Sequence, residues 1–294
     1  MERFMQSSKI YQIIASMRPK QWTKNSFVFA GLIFSKSFLY LDAVMRVLYA
    51  FVLFSLVSGT VYIINDVVDR DKDRLHPRKS KRPIASGSLN PYEALAYSFI
   101  VLAVALFLAF RLDFELFLIL AAYFTLVTAY SLKLKNVVIL DVILIAGGFV
   151  LRTVGGALVI DVRISPWLIV CTTLLSLFLA LNKRKNELLV LSENAAEHRK
   201  ILEEYTPELI DQMLSVVTST TVMSYSLYTF NAGKSHYMML TIPFVLYGIF
   251  RYQYLASTKD MGESPELVLL KDKPLLINII LWVVASIVIV NYFY

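Results

Sequence analysis

The sequence predicts an all-α integral membrane protein with about nine transmembrane helices. Three observations carry that expectation. Hydrophobic residues make up 57% of the 294 positions and charged residues only 17%, with a mean hydropathy of +0.61. Soluble domains carry roughly 25% charge, so water is the wrong solvent for this chain. Apolar runs of membrane-crossing length, roughly 20 residues, recur from end to end. None alternates apolar with polar residues as an outer-membrane strand does, so the spans are helices. The same composition excludes a disordered chain, which would be polar and poor in aromatics.

Residues 1–25 lack a continuous apolar core and end in Arg18, Lys20 and Lys24. They read as an amphipathic segment on the membrane surface, with no cleavable signal peptide. Spans follow at 26–41, 44–64, 91–110, 114–130, 138–160, 166–182, 212–231, 237–256 and 275–294, the first short and interrupted by Lys36. The loops alternate in charge. The 65–90 loop holds Arg70, Lys72, Arg74, Arg78, Lys79, Lys81 and Arg82. Loops 131–137 and 183–211 hold Lys133, Lys135, Lys183, Arg184, Lys185, Arg199 and Lys200, and 257–274 adds Lys259, Lys271 and Lys273. The intervening loops carry little beyond Arg111, Arg163 and Lys234. The positive-inside rule then places the N-terminus and the rich loops in the cytoplasm, and the C-terminus outside. No internal repeat divides residues 1–294, which read as a single transmembrane domain. The lone Cys171 excludes an intrachain disulfide or a cysteine metal cluster. A net charge of +7 suits anionic lipid or an anionic substrate equally.

The most informative stretch is NDVVDRDKD at 65–73. Continuing the second span as a helix, at about 100° per residue, puts Asp69, Asp73 and Asp66 within about 100° of Asn65. Asp71 points to the opposite side. Three clustered carboxylates repel unless a cation lies between them, and oxygen-only ligands favour a hard ion such as Mg²⁺, with Mn²⁺ sharing the same donors. A solvated, mixed-charge helix end is the plain alternative. Asn65 and Asp66 adjoin the apolar run at 61–64, where ionisable groups are costly and usually functional. The metal-binding reading is therefore preferred. His76, His198 and His236 stand far apart and offer no zinc pair. Just downstream, the basic run at 78–82 could anchor the loop to the membrane or neutralise a diphosphate. Arg82, fixed by Pro83, is the residue to single out.

With the box at 65–73, the KRPIASG run at 81–87 and YSLKLK at 130–135, the chain resembles the UbiA superfamily of intramembrane prenyltransferases. The resemblance covers essentially the whole chain. It implies nine helices around a central cavity, closed on the cytoplasmic side by active-site loops at 65–90, 131–137 and 183–211. It also implies a bacterial inner-membrane location. Members that prenylate aromatic acceptors carry a second aspartate box after the sixth span. Here no Asp lies between Asp161 and Asp211, and the helix end reads NKRKNE at 182–187. Lys183, Arg184 and Glu187 share about 100° of that helix, an arrangement better suited to an anion than to a second metal pair. That departure, with RPKQWTKN at 18–25, GFVLR at 148–152 and HRKILEEY at 198–205, is similar to the phosphoribosyl-transferring branch.

In that branch the donor is phosphoribosyl pyrophosphate (PRPP) and the acceptor is a polyprenyl phosphate of decaprenyl type. The resemblance thus implies Mg²⁺ on Asp66, Asp69 and Asp73, with Asn65 orienting a ligand or a metal-bound water. Lys20, Lys24, Arg82, Lys135, Arg152, Lys183 and Arg184 supply cations for two anionic substrates. Arg152 lies inside a span, and either faces the cavity or pairs with a carboxylate such as Asp141. Tyr130 is a phosphate or ribose ligand or an interfacial anchor. Glu187 could bind ribose, neutralise Lys183 or complete the metal shell. Rival readings are prenyl transfer to an aromatic acceptor, an ion-coupled transporter and a scaffold. Gly147, Gly148, Gly155 and Gly156 permit close helix packing within or between subunits.

Overall fold

The computed structural model describes residues 8–75, 79–193, 201, 204–231, 236–258, 268 and 271–293. His76, Arg78, His198, Arg199, Lys200, Lys234 and Lys259 fall outside them, as does most of the 198–205 segment. Among the described residues the fold is a bundle of helices. A short α1 (Lys9–Ser16) leads into a 3-10 stretch, Pro19–Phe29, and one α-turn, α2 (Ala30–Phe34). The bundle proper comprises α3 (Leu41–Val68), α5 (Pro91–Leu112), α6 (Phe114–Leu132), α7 (Leu140–Leu158), α8 (Pro166–Glu193), α9 (Pro207–Asn231), α10 (Ile242–Thr258) and α11 (Lys273–Phe293). A six-residue α4 (Arg70–Leu75) follows α3.

Six of these helices, α3, α5, α6, α7, α8 and α11, are long and apolar enough to cross a membrane. The expected spans at 44–64, 91–110, 114–130, 138–160, 166–182 and 275–294 fall on them. The other three do not reach that standard. Helix α9 carries a Ser/Thr-rich stretch and α10 has 17 residues. The 26–41 span is not a continuous helix. It breaks at Ser35 and Lys36, whose φ of 61° no helix accommodates.

The segment before the break packs closely on α7. A Cβ on Gly156 would stand 1.9 Å from the Val28 carbonyl oxygen, and one on Gly31 would stand 2.9 Å from Ala157 Cα. Backbone therefore touches backbone, and the 19–34 segment follows the groove that α7 offers. Hydrophobic clusters lie on either side of this contact. Val28, Leu53, Phe54, Leu102, Leu120 and Tyr123 fill one; Phe178, Leu181, Ile210, Leu214, Tyr252 and Leu275 fill the other. Helices α3 and α7 are the inner ones, with 61% and 56% of their apolar windows buried against 22% for α5, α6 and α11. Phe99, Phe107, Ile280 and Val284 point outward from the outer helices, as lipid-facing residues do.

Local chemistry sets the turns that bring helix ends together. Asp113 ends α5 and caps α6 in one residue, its Oδ1 accepting the Leu116 N–H at 2.7 Å. Asn90 accepts the Tyr92 N–H at 2.9 Å and is followed by Pro91 at the first helical position of α5. Asp272 accepts the Leu275 N–H at 2.9 Å and is gripped by both guanidinium arms of Arg251. Helix α3 has 28 residues, about 42 Å, against roughly 30 Å of hydrocarbon. Asn65 and Asp66 lie in its last turn.

Gly156→Leu is expected to destabilise the protein by more than the usual ~1–3 kcal/mol of overpacking, because backbone must move. Gly147→Ala, whose Cβ would meet only the Leu126 Cδ1 at 3.4 Å, should change little. Thermal unfolding in detergent, followed by size exclusion, distinguishes the two.

Candidate active site

Backbone hydrogen bonds continue the helical path through the box, from Asp69 N–H to Asn65 O (2.9 Å) and from Asp73 N–H to Asp69 O (2.8 Å). Asp66 and Asp73 are buried on the inner side, at 2% and 5% exposure. Asp71 lies on the other side with 92% of its side chain exposed. The expected facing is therefore observed. Asn65 is half-buried beside Asp66.

Each carboxylate is met by a cation. Arg82 Nη1 donates to Asp66 Oδ1 at 3.0 Å and to Asp73 Oδ2 at 2.6 Å. Arg18 donates to the same Asp66 oxygen and lies over the Tyr62 ring, 5.0 Å from its centroid. Lys135 Nζ donates to Asp69 Oδ2 at 3.2 Å. Asp69 thus faces a different cation from its neighbours. Among the described residues no three Asp, Glu, His or Cys side chains are arranged as a metal site. Mutual repulsion is relieved by arginine and lysine instead.

The loop that delivers Arg82 is itself fixed. Arg74 Nε donates to the Ala85 carbonyl (3.1 Å), Ile84 and Leu89 are buried against Met17 and Ile63, and Gly87 takes φ 82°. That last value favours glycine. Arg18 also sits at positive φ, 53°, a strain an arginine tolerates only where its surroundings demand it. Its ion pair with Asp66 supplies the demand.

A second cluster joins four parts of the chain at the same end of the bundle. Arg184 on α8 is 1% exposed. Its Nε donates to Asp141 Oδ2 on α7 (2.6 Å), its Nη1 to Glu187, and its Nη2 to Tyr130 Oη on α6 (3.2 Å). Asp141, fully buried, also accepts from Tyr205 Oη at 2.7 Å. Burial, and next the bond to Asp141, push the Tyr205 phenol up to about 12, so it remains a donor at neutral pH. Lys183 Nζ lies 3.8 Å from Glu187 Oε1 on the outer side. Tyr130 and Glu187 are thus held by a buried guanidinium, and Lys183 is the more exposed cation of this group.

Arg152 belongs to neither cluster. Its Nε donates to Asn25 Oδ1 (2.7 Å), its Nη1 to the Gly148 carbonyl (2.9 Å) and its Nη2 to Tyr123 Oη, all neutral groups. It also lies over the Tyr123 and Phe149 rings. The alternative pairing with Asp141 does not form: eleven residues of α7, about 16 Å, separate the two side chains, and Asp141 meets Arg184 and Tyr205 instead. Lys20 is exposed, and Lys24 Nζ donates to Gln21 Oε1 at 3.4 Å.

Arg18, Asn25, Asp141 and Tyr205 complete these networks and were absent from the site residues expected. Asp141 gave a signal, as a carboxylate opening an apolar helix; Asn25, in the polar stretch that ends the N-terminal segment, gave none.

Arg184→Gln leaves the Asp141 carboxylate buried and unpaired, and is expected to destabilise the protein by about 3–5 kcal/mol. Tyr205→Phe should cost only about 1 kcal/mol. Thermal unfolding of the two variants against the parent checks the ranking.

Decaprenyl-phosphate phosphoribosyltransferase of Mycolicibacterium smegmatis is 30% identical over 287 residues, covering 92% of this chain and 90% of that protein. The protein of the same name from Corynebacterium glutamicum is 31% identical over 285 residues, covering 92% and 84%. Among solved structures, a UbiA homolog from Archaeoglobus fulgidus bound to GPP and Mg²⁺ superposes with a TM-score of 0.71 at 20% identity. It covers 97% of this chain and 100% of that one, a likeness of fold. The UbiA prenyltransferase family pattern matches residues 26–280, and the chain belongs to that family.

Proposed function

We propose that this protein is a membrane pentosyltransferase that moves 5-phosphoribose from PRPP to a polyprenyl phosphate of decaprenyl type. The observation that carries this reading is the end of α8. Lys183, Arg184 and Glu187 form an ion-paired group there, where the resemblance to the aromatic prenyltransferases would lead one to expect a second aspartate box. The two named relatives, aligned over 92% of the chain, support it. The proposal extends to a single nine-span domain in a bacterial inner membrane, with the N-terminus and the active site cytoplasmic. The asymmetry of Lys and Arg among the loops supports that sidedness.

In this reading an oxygen of the lipid phosphate attacks ribose C1, the bond from C1 to the pyrophosphate oxygen breaks, and pyrophosphate leaves. Positive charge develops at C1, so stabilising the leaving group matters most. The acceptor is already an anion at neutral pH and requires no general base. The chemistry of the donors suits a hard divalent ion, since Asp66, Asp69 and Asp73 are all carboxylates. Asp66 and Asp73 come close enough to share one nitrogen of Arg82, although the three side chains are not arranged around a common point. Asp66, Asp69 and Asp73 would hold Mg²⁺ or Mn²⁺, which when bound neutralises pyrophosphate oxygens. Arg82, Arg18 and Lys135, each bonded to one of these carboxylates, would have further N–H donors to offer phosphate oxygens. Lys20, Lys24 and Lys183 draw in the two anionic substrates. Asn65, Tyr130 and Glu187 offer neutral and acidic contacts to the ribose. Arg152, through Asn25, fixes the segment that carries Arg18.

Purified protein given radiolabelled PRPP, polyprenyl phosphate and Mg²⁺ is expected to move label into the lipid fraction, and Asp69→Asn to abolish that transfer. Transfer solely from a prenyl diphosphate to an aromatic acid would overturn the donor assignment and leave the fold intact. Arg82→Gln should lower kcat by about 10²–10³, the usual effect of losing one donor to developing charge. Arg82→Lys should recover part of it, as steady-state kinetics with PRPP would show.

A further inference from the structure

The connection that carries Lys135 is held in a conformation its own residues do not favour. Between α6 and α7 the chain makes a 3-10 turn, Leu134–Asn136, and then a γ-turn centred on Ile139, with φ 68° and ψ −44°. The Leu140 N–H donates to the Val138 carbonyl across that turn at 2.7 Å. A γ-turn of this hand is rare and strained, and a β-branched residue is poorly suited to positive φ. Packing of the side chain does not impose it, because Ile139 is 47% exposed. Tyr205, from the segment before α9, grips the turn instead. Its Oη accepts the Ile139 N–H at 2.8 Å and donates to Asp141 Oδ1 at 2.7 Å. One hydroxyl thus fixes both the residue before α7 and a residue in its first turn. The ring is buried in the cluster that holds Phe178, Leu181 and Ile210, so it forms a fixed post.

Four residues upstream of Ile139, Lys135 Nζ donates to Asp69 Oδ2 at 3.2 Å, with only 14% of its side chain exposed. So short a connection leaves little slack between the two bonds. An Ile139 returned to negative φ would swing the 134–138 stretch relative to α7 and draw the ammonium from the carboxylate. Strain of this kind persists where the surroundings over-determine it, and it concentrates at functional sites. We propose that Tyr205 is a positioning residue which, through the Ile139 turn, sets where the Lys135 ammonium stands beside Asp69. The use made of Lys135, as a donor to phosphate oxygens, rests on the proposed reaction; its placement by Tyr205 does not. The Arg184 network is a separate matter, because Arg184 Nε bonds Asp141 Oδ2 and not the oxygen that Tyr205 meets.

Tyr205→Phe removes the hydroxyl and keeps the ring. The full-length protein in detergent, without substrates, is given a brief pulse of an amine-acetylating ester, and each lysine is read by peptide mass spectrometry. Lys135 is expected to react about fivefold faster in Tyr205→Phe than in the parent, the worth of one net hydrogen bond, with Lys9 and Lys183 unchanged. Ile139→Pro deletes the N–H and imposes negative φ while sparing the bond from Tyr205 to Asp141, and should expose Lys135 at least as much. Unchanged Lys135 reactivity in either folded variant would overturn the proposal, whatever the reaction catalysed. With PRPP and polyprenyl phosphate, Tyr205→Phe should lower kcat by about tenfold, as a misplaced binding group does. Lys135→Gln should lower it too, and the double variant should be no slower than Lys135→Gln alone. Losses that multiply would show Tyr205 acting by another route and would also overturn the proposal. A parent inactive with PRPP would sink the proposed reaction instead, and the acetylation result would then decide for or against Tyr205.

Discussion

A charge buried beside hydrocarbon must be neutralised within reach of its own side chain, and this rule organises the protein. Asp66 and Asp141 are withdrawn from solvent, and each is met by an arginine from a distant part of the sequence. These pairs do more than satisfy charge. Arg18 and Arg82 tie the 19–29 segment and the 79–90 loop to the end of α3. Arg184 ties α8 to α6 and α7. The ends of four helices are thereby assembled by ion pairing, while the remainder of the bundle is held by apolar contact and backbone proximity.

In the proposed reaction, the carboxylates and their cations would let one surface handle two anions. In the arrangement seen, three Asp and three basic side chains balance one another, so the pocket is close to neutral as it stands. A phosphate ester approaching it meets N–H donors already aimed inward by their bonds to carboxylates. Preorganisation of this kind avoids reorganising long side chains at the moment of reaction.

Much of this was legible in the sequence. The facing of Asp66, Asp69 and Asp73 follows from helical spacing, and Asp71 falls outside it for the same reason. Pro83 and Gly87 announce a turn that presents Arg82. Of the nine apolar spans expected, six fall on helices long and apolar enough to cross a membrane among the described residues. The interruption at Lys36 was visible in the sequence, but the packing of the preceding segment on the Gly156 backbone was not, because that glycine lies far along the chain. The partner of Arg184 was hidden likewise. Asp141 is nearer in sequence to Arg152, yet helix α7 directs the two residues into different networks. Arg18 was visible as a basic residue, but its positive φ depends on a carboxylate that only the fold brings close.

The contact of Gly31 and Val28 with Gly156 and Ala157 has a consequence for biogenesis. The N-terminal segment emerges from the ribosome about 125 residues before the surface it must dock against. At ordinary synthesis rates that is an interval on the order of ten seconds. During that interval Arg18 lacks its docked partner, and a segment carrying Arg18, Lys20 and Lys24 is costly to hold within hydrocarbon. The segment must wait at the interface and enter the bundle after α7 is in place, making its docking a late event in assembly.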